Sequence, residues 1–448
     1  MRLQAALETL PGVLVSPQLD RFRESVDPLW IAEALAATGT ATVRRRRLPA
    51  EQVVWLVVGM ALLRNESIER IVDQLELALP SANDTLLAKS SIIKARQRLG
   101  AEPLAHLFAL LASAWATPSA DQHRWRGLAL YGADGSTLRV ADSVENRRHF
   151  GGQDAGAGRG MSGYPMVRLL GIVALRSHLL SAVRFGDYRT GELTLASELW
   201  NELPDDSLTV VDRGFLAADL LTSLTASGSN KQWLTRAKST TRLRTVERLG
   251  PRDELVEIEL SSQTRRRCQH LPERWLVRAI RYQRKGFRPS VLLTSLVDAK
   301  AYPAEEIVAL YHERWEIEIA LDEVKTHVLA REETIRSRTP TGVLQELWGL
   351  CLAYNLVRVE MERMADELGV APTEISFVNA LSLIRYALQF SSGPRMAPGT
   401  IPKRLRNIRD QMKRLVLPKR RERSYPRAVK VKMSPYSRKR PPTVRRPK

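Results

Sequence analysis

Three observations predict a mixed α/β fold, preceded by an all-helical region and followed by a helical region with a basic tail. Apolar residues recur at helical spacing up to about residue 118, short β-branched runs alternate with helices beyond it, and the positive charge gathers at the C-terminal end. The 448 residues carry 69 Lys and Arg against 49 Asp and Glu, a net charge of +20. From Lys403 to Lys448 stand 19 basic and 2 acidic side chains, leaving the first 402 residues close to neutral. A cationic end of this kind seeks a polyanion, most often nucleic acid.

Residues 16–118 read as helices broken at Thr38-Gly39-Thr40, Asn65-Glu66-Ser67 and Pro80-Ser81. Within them a segment Ser67–Leu77, a polar turn Pro80–Thr85 and a second helix bearing Lys89, Lys94, Arg96 and Arg98 suit a helix-turn-helix that faces DNA. An ordinary helical hairpin with a solvated basic face fits the same spacing, and the run Arg44–Arg47 is equally open. From Leu128 the runs LALYGA, STLRVA, MVRLLGIVAL and LLSAVRF read as successive strands. A helix over Glu192–Asn201, a strand SLTVV, a helix over Phe215–Thr225 and a strand QWLTRA complete a central sheet. Residues 241–297 lack a helical period and read as an all-β insertion. Helices resume at Pro303, with Glu305 and Glu306 at the positive helix end, and again over Thr341–Leu368. The expected divisions are 1–118, 119–345, 346–410 and 411–448, the last a Pro-punctuated basic arm expected to be disordered.

Other classes are excluded by composition. The longest apolar run, Val53–Leu63, falls short of the roughly 20 residues a bilayer core demands. The N-terminus carries Glu8 and Pro11 where a signal peptide needs an unbroken apolar stretch. Cys268 and Cys351 are too few for a disulfide scaffold and lack zinc-site spacing, so a reducing cytoplasm is expected.

Tyr311, Arg314, Glu318 and Lys325 fall within one narrow arc of an ideal helix, flanked by Trp315, Ile317 and Leu321. A surface salt-bridge stripe is the plain reading. Asp134 closes LALYGA and opens DGST, and Asp212 closes SLTVV and opens DRGF. Either Asp can simply end a strand at a turn. Carboxylates at the C-terminal ends of neighbouring strands nevertheless converge on one sheet edge, where α/β folds place their ligand sites. Three hard oxygen donors without His or Cys suit Mg²⁺ or Mn²⁺, and two such ions support in-line phosphoryl displacement, with Arg314, Lys325 and Tyr311 gripping phosphates beside them.

At these residues the sequence resembles DDE transposases of the insertion-sequence-four type. Their signature Y-(2)-R-(3)-E-(6)-K is matched by Tyr311, Arg314, Glu318 and Lys325, and their D-G-[ST] and D-R-G-[FY] blocks by Asp134-Gly135-Ser136 and Asp212-Arg213-Gly214-Phe215, in the same order. The resemblance spans about residues 16–440. It implies an RNase H-like catalytic domain interrupted by a β-rich insertion, with Asp134, Asp212 and Glu318 as catalytic metal ligands and Tyr311, Arg314 and Lys325 on DNA phosphates. It further implies a cofactor of Mg²⁺ or Mn²⁺, two ions in number; double-stranded DNA as partner, both terminal inverted repeats and target; a homodimer in the synaptic complex; and a prokaryotic, nucleoid-associated location. Members can set a Trp of the insertion against a flipped base; Trp233 precedes the insertion and Trp275 lies in it. A metal-dependent nuclease of the same fold would keep the acids without needing the Tyr-Arg-Lys stripe, a domesticated DNA-binding protein would tolerate losing an acid, and a ribosome-associated basic protein would leave the acids without purpose.

Overall fold

Strand β1 (Ala129–Arg139) is the axis on which the molecule is built, pairing antiparallel with β2 (Met166–Ala174) on one side and parallel with β4 (Ser207–Val211) on the other. The computed structural model describes residues 26–41, 47–79, 87–153, 163–268, 271–284, 287–330, 334–390 and 415–417. Outward from β2 lies β3 (Leu180–Asp187), and outward from β4 lies β5 (Lys231–Arg236). This gives the order β3-β2-β1-β4-β5, the three-antiparallel-then-two-parallel arrangement that the RNase H-like resemblance implies. Helix α7 (Glu192–Leu199) connects β3 to β4 and α8 (Ala218–Ala226) connects β4 to β5. β4 is buried along its whole length, as a parallel strand covered on both faces must be.

The expected insertion is β-rich, but it does not stand apart. Strands β6 (Arg244–Gly250), β7 (Asp253–Glu259), β8 (Arg274–Tyr282) and β9 (Ser290–Thr294) extend the same sheet beyond β5, giving nine strands ending at the exposed edge β6. It also contains a short helix, α9 (Ser262–Arg267). Arg278, fully buried on β8, forks onto Asp253 through Nε (2.8 Å) and Nη2 (2.6 Å), while Nη1 donates to the carbonyls of Leu296 (3.1 Å) and Tyr302 (2.7 Å). That pair ties the insertion to the loop leading into α10 (Ala304–His312).

Helices α1 (Pro28–Ala37), α2 (Ala50–Leu62), α3 (Ile68–Gln74), α4 (Lys89–Leu99) and α5 (Glu102–Gln122) precede the sheet. Asp27 caps α1 and Ser67 caps α3, each accepting a first-turn backbone N–H. The long helix α12 (Pro340–Leu368) threads between this group and the sheet. Its Gly349 meets α2 so closely that a Cβ would lie 2.6 Å from Val57 Cγ1 and 2.8 Å from its carbonyl oxygen. One continuous apolar cluster therefore runs from α1 and α2 through α12 to β2, β3 and α13 (Phe377–Phe390). No single helix among the described residues is long and apolar enough to cross a membrane.

Two expectations need correction here. LALYGA and STLRVA are one strand, because β2 pairs β1 without a break from Tyr131↔Ala174 to Arg139↔Met166 and carries the chain past the Asp-Gly dipeptide. The signature segment is also not one regular helix. α10 ends at His312, Glu313 and Arg314 form a turn, α11 covers Trp315–Asp322, and Glu323–Val328 is π-helical. π segments of this kind recur at functional sites.

Candidate active site

Asp134 sits inside β1, opposite Gly171 of β2. The parallel pairing with β4 ends at Ala133↔Val211, so Asp134 and Asp212 are the next residues in register and share one end of the sheet. The β4–β5 pairing, last recorded at Val210↔Leu234, carries Arg236 to the same row. Asp212 caps a 3₁₀ turn, Arg213–Phe215, its Oδ1 accepting Gly214 N–H at 2.6 Å, and its carbonyl accepts the Thr235 hydroxyl at 2.9 Å. Asp134 Oδ1 accepts Gly135 N–H at 2.8 Å. Burial pushes Asp134 up to about 6; the negative charges of Asp212 and Glu192 add to that, while the Gly135 bond and Arg314 pull back.

α11 reaches the sheet through glycines. A Cβ at Gly132 would fall inside the Ile317 side chain, and one at Gly171 would touch Leu321 at 3.6 Å. Those contacts lay the signature segment across β1 and β2 beside Asp134. Arg314 Nη2 donates to Glu318 Oε1 at 2.6 Å. Burial opposes the Arg314 charge, but the Glu318 bond, with Tyr311 and Asp134 nearby, raises its pKa. Tyr311 is buried, its pKa raised by that burial, with Arg314, Arg236 and Asp212 close enough to act on it. Lys325 Nζ lies 3.4 Å from the Ser136 hydroxyl, two residues past Asp134.

Asp134, Asp212, Tyr311 and Arg314 are thus brought together, Glu318 joins them through Arg314, and Lys325 meets β1 at Ser136. Among the described residues no three acids, His or Cys stand close enough to form a ready-made metal cage, and Glu318 is hydrogen-bonded to Arg314. The donor chemistry still fits a hard divalent cation. Its oxygens are all carboxylate, and Asp134 is a half-buried acid near two further negative charges, a condition that a cation relieves.

Residues that the sequence left unmarked also converge here. Arg236 is recognisable only from strand register, and Glu192 only from packing against Gly135. Behind the π segment lies a buried polar cluster. Arg358 Nη2 donates to His178 Nδ1 at 2.7 Å and to Glu323; Tyr354 OH donates to Glu323 Oε2 at 3.0 Å; and His178 Nε2 shares a 3.0 Å hydrogen bond with Glu316 Oε2.

The surfaces expected to meet DNA are partly placed. On α4, Lys89 and Lys94 are exposed together with Ile93, but Arg96 turns inward and donates to Ser337 Oγ at 3.3 Å and Gly342 O at 3.4 Å. Tertiary contact with the start of α12 claims that side of the helix. The turn Pro80–Thr85, Arg44–Arg46 and nearly all of the basic tail lie outside the described residues. Trp233 is buried at 1% exposure. Trp275, 5.2 Å from it between ring centroids, lines a cleft of about 880 Å³ with Lys238, Arg242 and Arg265.

Comparison with known proteins gives two family matches. Residues 16–109 match the insertion element 4 transposase N-terminal family and residues 131–356 the transposase DDE domain family. The chain is 37% identical over 419 residues, 93% of either protein, to transposase InsG for insertion sequence element IS4 of Escherichia coli (strain K12). A piggyBac transposase in a synaptic complex with hairpin DNA aligns at a TM-score of 0.44 and 12% identity, over 91% of this chain and 87% of that one. The DDE family depends on divalent metal and acts on DNA. The chain belongs to the insertion element 4 group of DDE transposases, enzymes that cleave and transfer DNA.

Proposed function

We propose that Asp134, Asp212 and Glu318 hold two Mg²⁺ or Mn²⁺ ions and that this chain cuts the ends of its own insertion sequence and joins them to target DNA. One observation carries the reading: Asp134 and Asp212 follow the last β1–β4 register pair, and Arg314, hydrogen-bonded to Glu318, stands near enough to Asp134 for their charges to act on each other. When bound, the ions activate a water or 3′-hydroxyl and stabilise the leaving oxygen of an in-line displacement. The protein's share is position and charge. Arg314, with its planar fork, grips a phosphate and fixes its orientation, while Lys325 attracts one as a point charge. The buried Tyr311 lies near Arg314 and Arg236, and Arg236 extends the cationic lining past Asp212.

The terminal inverted repeats are read by the N-terminal helices, with Lys89, Ile93 and Lys94 of α4 turned outward toward the groove. The tail from Lys403 attracts phosphate without regard to sequence. Synapsis of two ends is the work of a homodimer, on the nucleoid of a prokaryotic cytoplasm. The test is incubation of the purified chain with DNA carrying the element's flanking ends and Mg²⁺, followed by mapping of cut strands. Cuts at the element boundary support the reading, and cuts scattered without regard to the boundary replace it with a plain nuclease.

A further inference from the structure

Glu192 opens α7, and its side chain crosses the face of β1 at the residue after Asp134. A Cβ at Gly135 would lie 2.6 Å from Glu192 Cδ and 2.9 Å from its Oε1, so glycine is required there for the carboxylate to pass. Arg168, paired with Thr137 across β1–β2, aims it: Nη1 donates to Glu192 Oε1 at 2.8 Å, Nη2 donates to the Tyr188 carbonyl at 3.2 Å, and the guanidinium stacks over the Tyr188 ring at 5.7 Å. The second oxygen, Oε2, accepts no hydrogen bond among the described residues. An acid is thus held by an anchored Arg beside a carboxylate whose charge it opposes.

We infer that Glu192 is a fourth acid of the site, a positioning residue whose carboxylate orders the water shell of the cation held by Asp134. The inference rests on the metal reading given above and adds a residue to that site rather than a site of its own. Mg²⁺ and Mn²⁺ take only part of their coordination from protein and keep several waters. A carboxylate that accepts hydrogen bonds from those waters fixes their orientation, and loss of such a partner typically lowers metal affinity by 10–100-fold.

The test titrates Mn²⁺ alone into the full-length chain and follows the free ion by its electron paramagnetic resonance signal. Each variant is measured below its own melting temperature. Glu192→Gln and Glu192→Ala are expected to weaken Mn²⁺ binding about tenfold, Glu192→Asp to recover part of the loss, and Glu198→Gln, exposed on the same helix, to match wild type. Asp134→Asn is expected to lose more than any of them. Wild-type affinity in either the Gln or the Ala variant, with Asp134→Asn impaired, overturns the role of Glu192 alone. Wild-type affinity in Asp134→Asn overturns the metal reading beneath it.

Discussion

Arg314 Nη2 and Glu318 Oε1 are 2.6 Å apart, one helical turn from each other, so the guanidinium assigned to phosphate and the carboxylate assigned to metal form a single ion pair. Because the Arg314 side chain is largely buried and stacks on Trp315, Arg314→Ala is assayed at a temperature where it is folded. Joining of a pre-cut transposon end to a target plasmid should fall by about a hundredfold, since small misplacement of a reacting group costs that much. Arg314→Lys should recover only part of the loss, because it restores the charge without the fork. Unimpaired joining by Arg314→Ala would return the pair to a solvated salt bridge.

Gly132 lets Ile317 rest on β1 and so sets the height of the signature segment above Asp134. Gly132→Ala should destabilise by about 1–3 kcal/mol, the usual cost of overpacking. Adding Ile317→Val should recover some of it, because the two sites share one contact. Chemical denaturation of both variants checks this, and a wild-type midpoint for Gly132→Ala would show that α11 shifts freely.

Glu323 anchors the π segment. Burial alone would raise its pKa, but the Arg358 charge and the His178 contact outweigh burial and lower it from 4.5 to about 2. A carboxyl depressed in the folded state contributes stability above its unfolded pKa and loses it as pH falls. Unfolding free energy should thus decline from about pH 5 toward pH 2, and Glu323→Gln should flatten that limb. The same variant should cost about 3–5 kcal/mol at neutral pH by leaving Arg358 buried without its counter-ion. An unchanged acid limb in Glu323→Gln would assign the pH dependence elsewhere.

Val416 bridges to Ile375, so truncation after Leu417 keeps that contact while removing 13 Lys and Arg with one acid, Glu422. Affinity for specific and random DNA should fall together, and the slope of log affinity against log salt should become shallower, as fewer phosphates are neutralised. Equal slopes before and after truncation would give the tail another purpose.

Local sequence carries some of these features and not others. Asp134 and Asp212 stand out because each follows an apolar run, and the Tyr-Arg-Glu-Lys spacing is specific on its own. That β1 runs on through Asp-Gly is decided by the long-range ladder to β2, which no local turn rule contains. Arg96 reads as surface from its spacing, yet α12 packs against that side of α4 and takes its guanidinium. The turn at Glu313–Arg314 and the π segment after Asp322 shift the arc expected of a regular helix, and they depend on Ile317 finding Gly132 and on Glu323 finding Arg358. Glu192 and Arg236 reach the site through register and packing alone.

The most direct measurement is strand cleavage at the element's own ends in Mg²⁺ by wild type, Asp134→Asn, Asp212→Asn and Glu318→Gln, with binding to the same DNA followed in parallel. Each variant is expected to retain binding and to lose cleavage by several orders of magnitude, because the basic contacts persist while the metal donors do not. Near wild-type cutting by any one of the three would remove that residue from the centre, and full activity in EDTA would contradict a metal-dependent reaction altogether.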